Sequence, residues 1–188
     1  YNAGANITTS NYNVAIGSQA LTTTTTGSSN TAVGDSALLA NTTGNTNIAV
    51  GGRALTTNTV GDRNTAVGFQ SLYTLNPAGN ADMYNVAVGY NAGHGLTTGV
   101  NNTLLGGLTG LEITTGNNNA AIGYRAGGGL SSADMTGTHN ISIGNDAGGR
   151  LTSGEDNIFM GYAAGTQHTT GSKNVFLGIE AGEASTSA

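Results

Sequence analysis

The chain has 188 residues and a formal net charge of −5; 8% of its residues are charged, 32 are Gly, and it has one Pro, no Cys and no Trp. Such a composition excludes a charge-rich disordered segment, an ordinary mixed α/β enzyme and a disulfide-framed fold. The five permanent cations, Arg53, Arg63, Arg125, Arg150 and Lys173, are too dispersed on an acidic chain to track phosphates, which excludes nucleic-acid partners.

The motif Asn-x-(small)-(aliphatic)-Gly occurs ten times. It begins as Asn13-Val-Ala-Ile-Gly17 and returns at Asn30, Asn47 and Asn64, always 17 residues on. Four extra residues precede the copy at Asn85; Asn102 and Asn119 resume the 17-residue spacing. A second interval of 21 leads to Asn140, and Asn157 and Asn174 follow at 17. A short fixed period of this kind means stacked copies of one small unit. Helical pairs need roughly 34 residues, and units rich in Gly, Thr and Asn have poor helix propensity. Each copy instead predicts a short β-strand, with Val14 and Ile16, Ile48 and Val50, or Ile141 and Ile143 on one face and Ala15, Ala49 or Ser142 on the other.

Further columns appear when the copies are aligned on the motif glycine. Three residues later stands Ala20, Ala37, Ala54, Ser71, Ala92, Thr109, Ala126, Ala147, Ala164 or Ala181; the next residue is Leu in the first four copies and Gly in the last six. Thr-Thr-Gly triplets such as Thr42-Thr43-Gly44 add a second bend to most units. Strands this short are stable only if successive coils pair in parallel along an axis. The expected fold is therefore all-β: one parallel β-solenoid domain, 1–188, of about ten 17-residue coils, extending roughly 50 Å at strand spacing.

Stacking like on like makes Asn13, Asn30, Asn47, Asn64, Asn85, Asn102, Asn119, Asn140, Asn157 and Asn174 one column, a structural ladder in which each amide offers a donor and an acceptor to its neighbours. The column Ala15, Ala32, Ala49, Ala66, Ala87, Leu104, Ala121, Ser142, Phe159 and Phe176 has two readings. It faces outward, where small side chains such as Ala87 and Ala121 admit another chain; or it is a second inner wall, with the Asn side toward solvent. A thin roll buries a small share of its surface, so association is expected to add burial.

The chain starts without Met: Tyr1-Asn-Ala-Gly4 repeats Tyr90-Asn-Ala-Gly93, and Gly182 to Ala188 thin out into Ser, Thr and Ala. Open solenoid ends need caps or partners. The expectation is a segment of a longer chain or a subunit with end-to-end neighbours. No 18-residue apolar run is present to span a membrane, and no basic stretch followed by an apolar one opens the chain.

At Asn13-Val-Ala-Ile-Gly17, Asn47-Ile-Ala-Val-Gly51 and Asn85-Val-Ala-Val-Gly89 the sequence resembles the head repeats of trimeric autotransporter adhesins of the YadA type, and it is similar to the Asn-Thr-Ala-Val-Gly repeats of phage tail-fibre shafts. The resemblance covers nearly the whole chain. It implies a left-handed parallel β-roll, a homotrimer of side-by-side chains, an extracellular, cell-surface or virion location, and a structural and adhesive role toward a glycan or protein receptor. The adhesin repeat is shorter than 17 residues, and no neck, heptad stalk or anchor barrel is recognisable, which favours the fibre-like relatives.

No catalytic constellation stands out, so the chain is expected not to be an enzyme and to need no cofactor or metal. Glu155-Asp156 is the one adjacent acidic pair, and His94, His139 and His168 occupy different repeat phases. A carbohydrate-active fibre segment and an ice-binding solenoid are the alternative functions, the latter from recurring Thr. Adjacent threonines on a strand point to opposite faces, which does not suit a flat Thr array. Aromatic residues after the motif glycine, Phe69, Tyr90, Tyr124 and Tyr162, read as structural cover. The two longer intervals are the candidate recognition loops. Both contain Ala-Asp-Met, and their candidate residues are Pro77, Asp82, Met83, Tyr84, Asp134 and Met135.

Overall fold

A computed structural model of the protein describes residues 1–183. The expected uncapped tail, Gly182 to Ala188, therefore lies mostly outside the described residues. Ten three-residue strands follow the ten motifs: β1 (Val14–Ile16), β2 (Thr31–Val33), β3 (Ile48–Val50), β4 (Thr65–Val67), β5 (Val86–Val88), β6 (Thr103–Leu105), β7 (Ala120–Ile122), β8 (Ile141–Ile143), β9 (Ile158–Met160) and β10 (Val175–Leu177). They form one parallel sheet in sequence order, each strand paired in register with the next. The fold is a β-solenoid of about ten turns, and both 21-residue coils keep the register: Ala66 pairs with Ala87 and Ala121 with Ser142.

The asparagine ladder is inside. Asn30, Asn47, Asn64, Asn85, Asn102, Asn119, Asn140 and Asn157 are buried, while Asn13 and Asn174 close the column half-buried. The amides bond from coil to coil. The backbone N–H of Asn102 donates to Asn85 Oδ1 at 2.9 Å, its Nδ2 donates to the same oxygen at 3.2 Å and to Gly116 O at 2.9 Å, and its own Oδ1 accepts from Asn119 N at 3.0 Å. One side chain thus ties its strand to the preceding coil and to the Thr-Thr-Gly bend of the following one.

Both readings of the small-residue column need correction. Alternation at period two puts Asn and the small residue two positions later on the same side, and both point inward: Ala87 is 0% and Ala121 1% exposed. The column is an inner wall, and the Asn side is not toward solvent. An interface through Ala87 and Ala121 is excluded, because single-chain packing already consumes those side chains. The residues pushed outward are the flanking aliphatics: Ile48 is 43%, Val88 38%, Ile122 39% and Ile141 37% exposed. The physical reason is the amide, which can be buried only where the coil supplies its partners.

The interior is completed by the residues four and seven places after each motif glycine. In the first four coils Leu21, Leu38, Leu55 and Leu72 are fully buried at the former place. Their backbones are left-handed, as at Leu72 with φ of 49°, a conformation that favours Gly. The later coils use Gly there and move the volume elsewhere, to Leu96, Ile113 and Leu151 at the seventh place and to Leu104 and Phe159 on the strands. At Gly93 an added methyl would lie 2.7 Å from Leu104 Cδ1 and 2.9 Å from Leu72 Cδ2. The Leu-to-Gly change is therefore a packing exchange between neighbouring columns.

The motif glycine has a different reason. Gly106, with φ of 139°, stacks on Gly123 so closely that a methyl would sit 2.5 Å from the Gly123 carbonyl oxygen. Two further left-handed columns flank every strand, two residues after the motif glycine (Arg53, Asn91, Leu108, Arg125) and immediately before the Asn (Arg63, Tyr84, Asn101, His139). Their strain of about 1–2 kcal/mol per residue is offset by hydrogen bonds to the preceding coil, such as Leu108 N to Tyr90 O at 2.8 Å and Arg63 N to Asn45 O at 3.0 Å.

Replacing Asn102 by Leu is expected to destabilise the fold by about 1–3 kcal/mol, since Asn119 N and Gly116 O lose their partner. Chemical denaturation measures it, and an unchanged midpoint and slope would remove the ladder from the account. Gly93→Leu is expected to cost about 1–3 kcal/mol by overpacking, and Leu104→Ala in the same chain should recover part of that loss. A double-mutant cycle with no coupling would refute the packing exchange.

Candidate interaction surfaces

Three surfaces rise from this scaffold. The first is the outer face of the sheet. In-register pairing stacks the aliphatic position of each copy, from Ile16 through Val50, Val67, Val88 and Ile122 to Met160, into an unbroken apolar rank. A second rank runs beside it through Val14, Ile48, Val86, Ile141 and Ile158, interrupted by Thr31, Thr65, Thr103 and Ala120. The column following the motif glycine borders this face with Phe69, Tyr90, Tyr124 and Tyr162, all about half exposed. Phe69 and Tyr90 stack with centroids 5.9 Å apart, Phe69 covers Gly52, and the Arg125 guanidinium lies 4.9 Å from the Tyr124 ring centroid. Arg125 in turn holds Asp146 with two bonds, 2.8 and 3.1 Å long. These rings pack over coil corners and leave an edge exposed.

The second surface is the first long interval. Asp82 is exposed and held by Arg63 in an ion pair and by the Tyr84 hydroxyl at 3.2 Å; Arg63 also lies over the Tyr84 ring at 5.6 Å. Pro77 and Met83 are buried instead, both against Gly61, so they are wall residues of the coil. Asn76 is pinned as well, donating its N–H to Thr97 O at 2.9 Å and accepting from Thr59 Oγ1 at 2.7 Å. The exposed part is Ala78, Gly79 and Asn80, together with the mutually tied Asp82 and Tyr84.

In the second interval Met135 is fully buried and bridges Ile113, filling the core place that Ile113 fills one coil earlier. The extra residues bulge before it, with Ser132, Ala133 and Asp134 exposed. Burial, with the Asp134 carboxylate nearby, raises the Glu112 carboxyl above its ordinary range. The two Ala-Asp-Met segments thus share one device: Met plugs the roll and Asp marks the exposed rim. Sequence reasoning read Met as an exposed contact because nothing local to the loop reports that a coil needs one more core side chain.

The other candidates serve the structure. The Thr rank beside the bends donates hydroxyls to backbone carbonyls of the next coil, as from Thr42 to Thr59 O at 3.0 Å and from Thr97 to Thr114 O at 3.0 Å. His168 is fully buried against Phe159 and Phe176, and its Nε2 lies 2.9 Å from Gly171 O, repeating the bonds of Asn41 and Asn58 to Gly44 O and Gly61 O. His94 stacks on Tyr73 with centroids 5.1 Å apart, and burial lowers its pKa. Glu155 and Asp156 are exposed, with Asp156 4.0 Å from His139. Among the described residues no group of three or more His, Cys, Asp or Glu is arranged to hold a metal ion, and no helix is long and apolar enough to cross a membrane.

No protein-family model, curated protein or solved structure matches the chain.

Met135→Ala is expected to cost about 2–5 kcal/mol through the cavity left in the roll, whereas Ser132→Ala on the rim should stay within about 0.5 kcal/mol. Chemical denaturation separates the two. Equal small effects would return Met135 to the loop surface.

Proposed function

We propose that the chain is a structural and adhesive segment of a surface fibre, whose copies associate side by side through the outer sheet face. The observation that carries this reading is the apolar face itself. It crosses all ten strands, and large exposed apolar patches on water-soluble folds mark interaction sites. Among the described residues nothing covers it, since both inner walls are already packed. Small coils leave a thin core, so burying a long aliphatic face adds the apolar area that one roll lacks. Three copies in a left-handed roll is the arrangement that the resemblance to adhesin heads and tail-fibre shafts supports, and an extracellular or virion setting accompanies it.

The catalytic and ice-binding alternatives draw less support. Thr hydroxyls beside the bends, such as those of Thr42 and Thr97, are engaged with backbone carbonyls, and the adjacent acidic pair lies exposed.

Sedimentation equilibrium tests the assembly. The expected wild-type species contains three chains, and Ile122→Lys, which places a cation in the middle of the face, should shift it toward monomer while circular dichroism retains the β signal. A wild-type monomer at tens of micromolar, or an Ile122→Lys assembly of unchanged mass, would reject the proposed interface.

A further inference from the structure

The second long interval builds a concave site. An open groove of about 410 Å³ lies between the bulge and the two coils that follow it, with Leu130, Ser131, Ser132 and Ala133 forming one wall and Arg150 and Thr152 facing them. This is within the size range of small-ligand sites. The bulge is seated firmly: Leu130 N donates to Gly149 O at 2.7 Å, Leu130 Cδ1 fills the space a methyl at Gly149 would occupy, and Met135 anchors the far end in the core.

Its polar side chains are one guanidinium, that of Arg150, and the hydroxyls of Ser131, Ser132, Thr152 and Thr169. Arg150 is exposed and forms no ion pair with a carboxylate among the described residues, in contrast to Arg63 and Arg125. Ser131 Oγ accepts the Ala133 N–H at 3.0 Å, which leaves its own O–H to donate elsewhere. Thr152 donates to Thr169 O at 3.0 Å and keeps acceptor capacity. Among the described residues no acidic side chain lines the groove, and Asp134 acts instead toward Glu112, one coil before the bulge. The first long interval lacks the cation: the place of Arg150 there belongs to Gly95.

We propose that this groove binds an acidic sugar unit, its carboxylate or sulfate held by Arg150, its hydroxyls by Ser131, Ser132 and Thr152, and its apolar ring edge against Leu130 and Ala133. A planar guanidinium suits a two-oxygen anion in a fork geometry, and a short apolar wall beside convergent hydroxyls suits a pyranose. The inference rests on the surface-fibre reading and names the chemistry of its receptor. It also separates the two long intervals, of which only the second carries the anion site.

Ligand-observed saturation-transfer NMR on the full chain tests it, with methyl glucuronide, glucose 6-sulfate and methyl glucoside as probes. At least one acidic sugar is expected to bind, the better of the two identifying the anion, and neutral methyl glucoside should bind at least tenfold more weakly. Arg150→Gln should lose tenfold or more in affinity, and Arg150→Lys should retain part of it. Because Arg150 is exposed, both variants should keep the wild-type melting temperature; the Ser131→Ala, Ser132→Ala pair provides an independent loss of binding if they do not. Equal binding of the neutral sugar, no binding of either acidic sugar, or unchanged affinity in Arg150→Gln would each overturn the site. Sedimentation of the same samples keeps the two proposals distinct. An assembled chain that binds no acidic sugar removes this site and leaves the fibre, whereas a monomer that binds through Arg150 removes the fibre and leaves the site.

Discussion

The buried amide ladder is the constraint from which the other features of the roll follow. An asparagine side chain removed from water must make its hydrogen bonds or cost several kcal/mol, and here its partners are the neighbouring Asn and the carbonyl of a Gly on the adjacent coil's bend, as with Asn102, Asn85 and Gly116. Those partners exist only if every coil repeats the same path at the same height. The ladder therefore enforces in-register stacking, sets which face of each strand is interior, and requires glycine at the closely stacked corner. A coil with extra residues must return to the same place, and it does so with the amide of Asn85 still facing Asn64 and that of Asn140 still facing Asn119.

Volume is the second constraint. The interior holds about one large side chain per coil, contributed by Leu four places after the glycine, by an aliphatic seven places after it, or by Met from a long interval. Gly93, Gly110 and Gly165 appear wherever Leu104 or Phe159 has taken the space. This exchange explains why the repeat looks looser in its second half while the strand register is constant. It also explains the shared Ala-Asp-Met: Met83 and Met135 belong to the core ledger of their coils, and the bulges they anchor are free to differ at the rim.

The proposed functions rest on what the roll leaves outside. Aliphatic side chains excluded from the interior by the ladder form a continuous sheet face suited to a second copy, and the second bulge frames a cationic groove next to it in sequence but on another part of the coil. On the proposed reading, assembly and recognition fall to separate columns. On that reading, a substitution in one column need not disturb the others, and the loops can vary on an unchanged roll.

The sequence by itself determined the architecture. A 17-residue period with Asn, small, aliphatic and Gly at fixed places specifies parallel stacked strands, and β1 to β10 fall on the ten motifs because that spacing is a property of the chain alone. It also determined the amide column, since stacking like on like needs no three-dimensional knowledge. Only the tertiary structure decided which side of the strand is inside. Val14, Ala15 and Ile16 alternate in either case, and hydrophobicity favours burying the larger pair; the competing need to satisfy Asn13 is visible only once the bend carbonyl of Gly27 is seen to lie 2.8 Å from its Nδ2. The same holds for the loops. Pro77, Met83 and Met135 read as exposed contacts in sequence because the cavity each fills is made by residues on other coils, and Arg150 read only as one of five dispersed cations because its groove is made by the bulge of the coil before it.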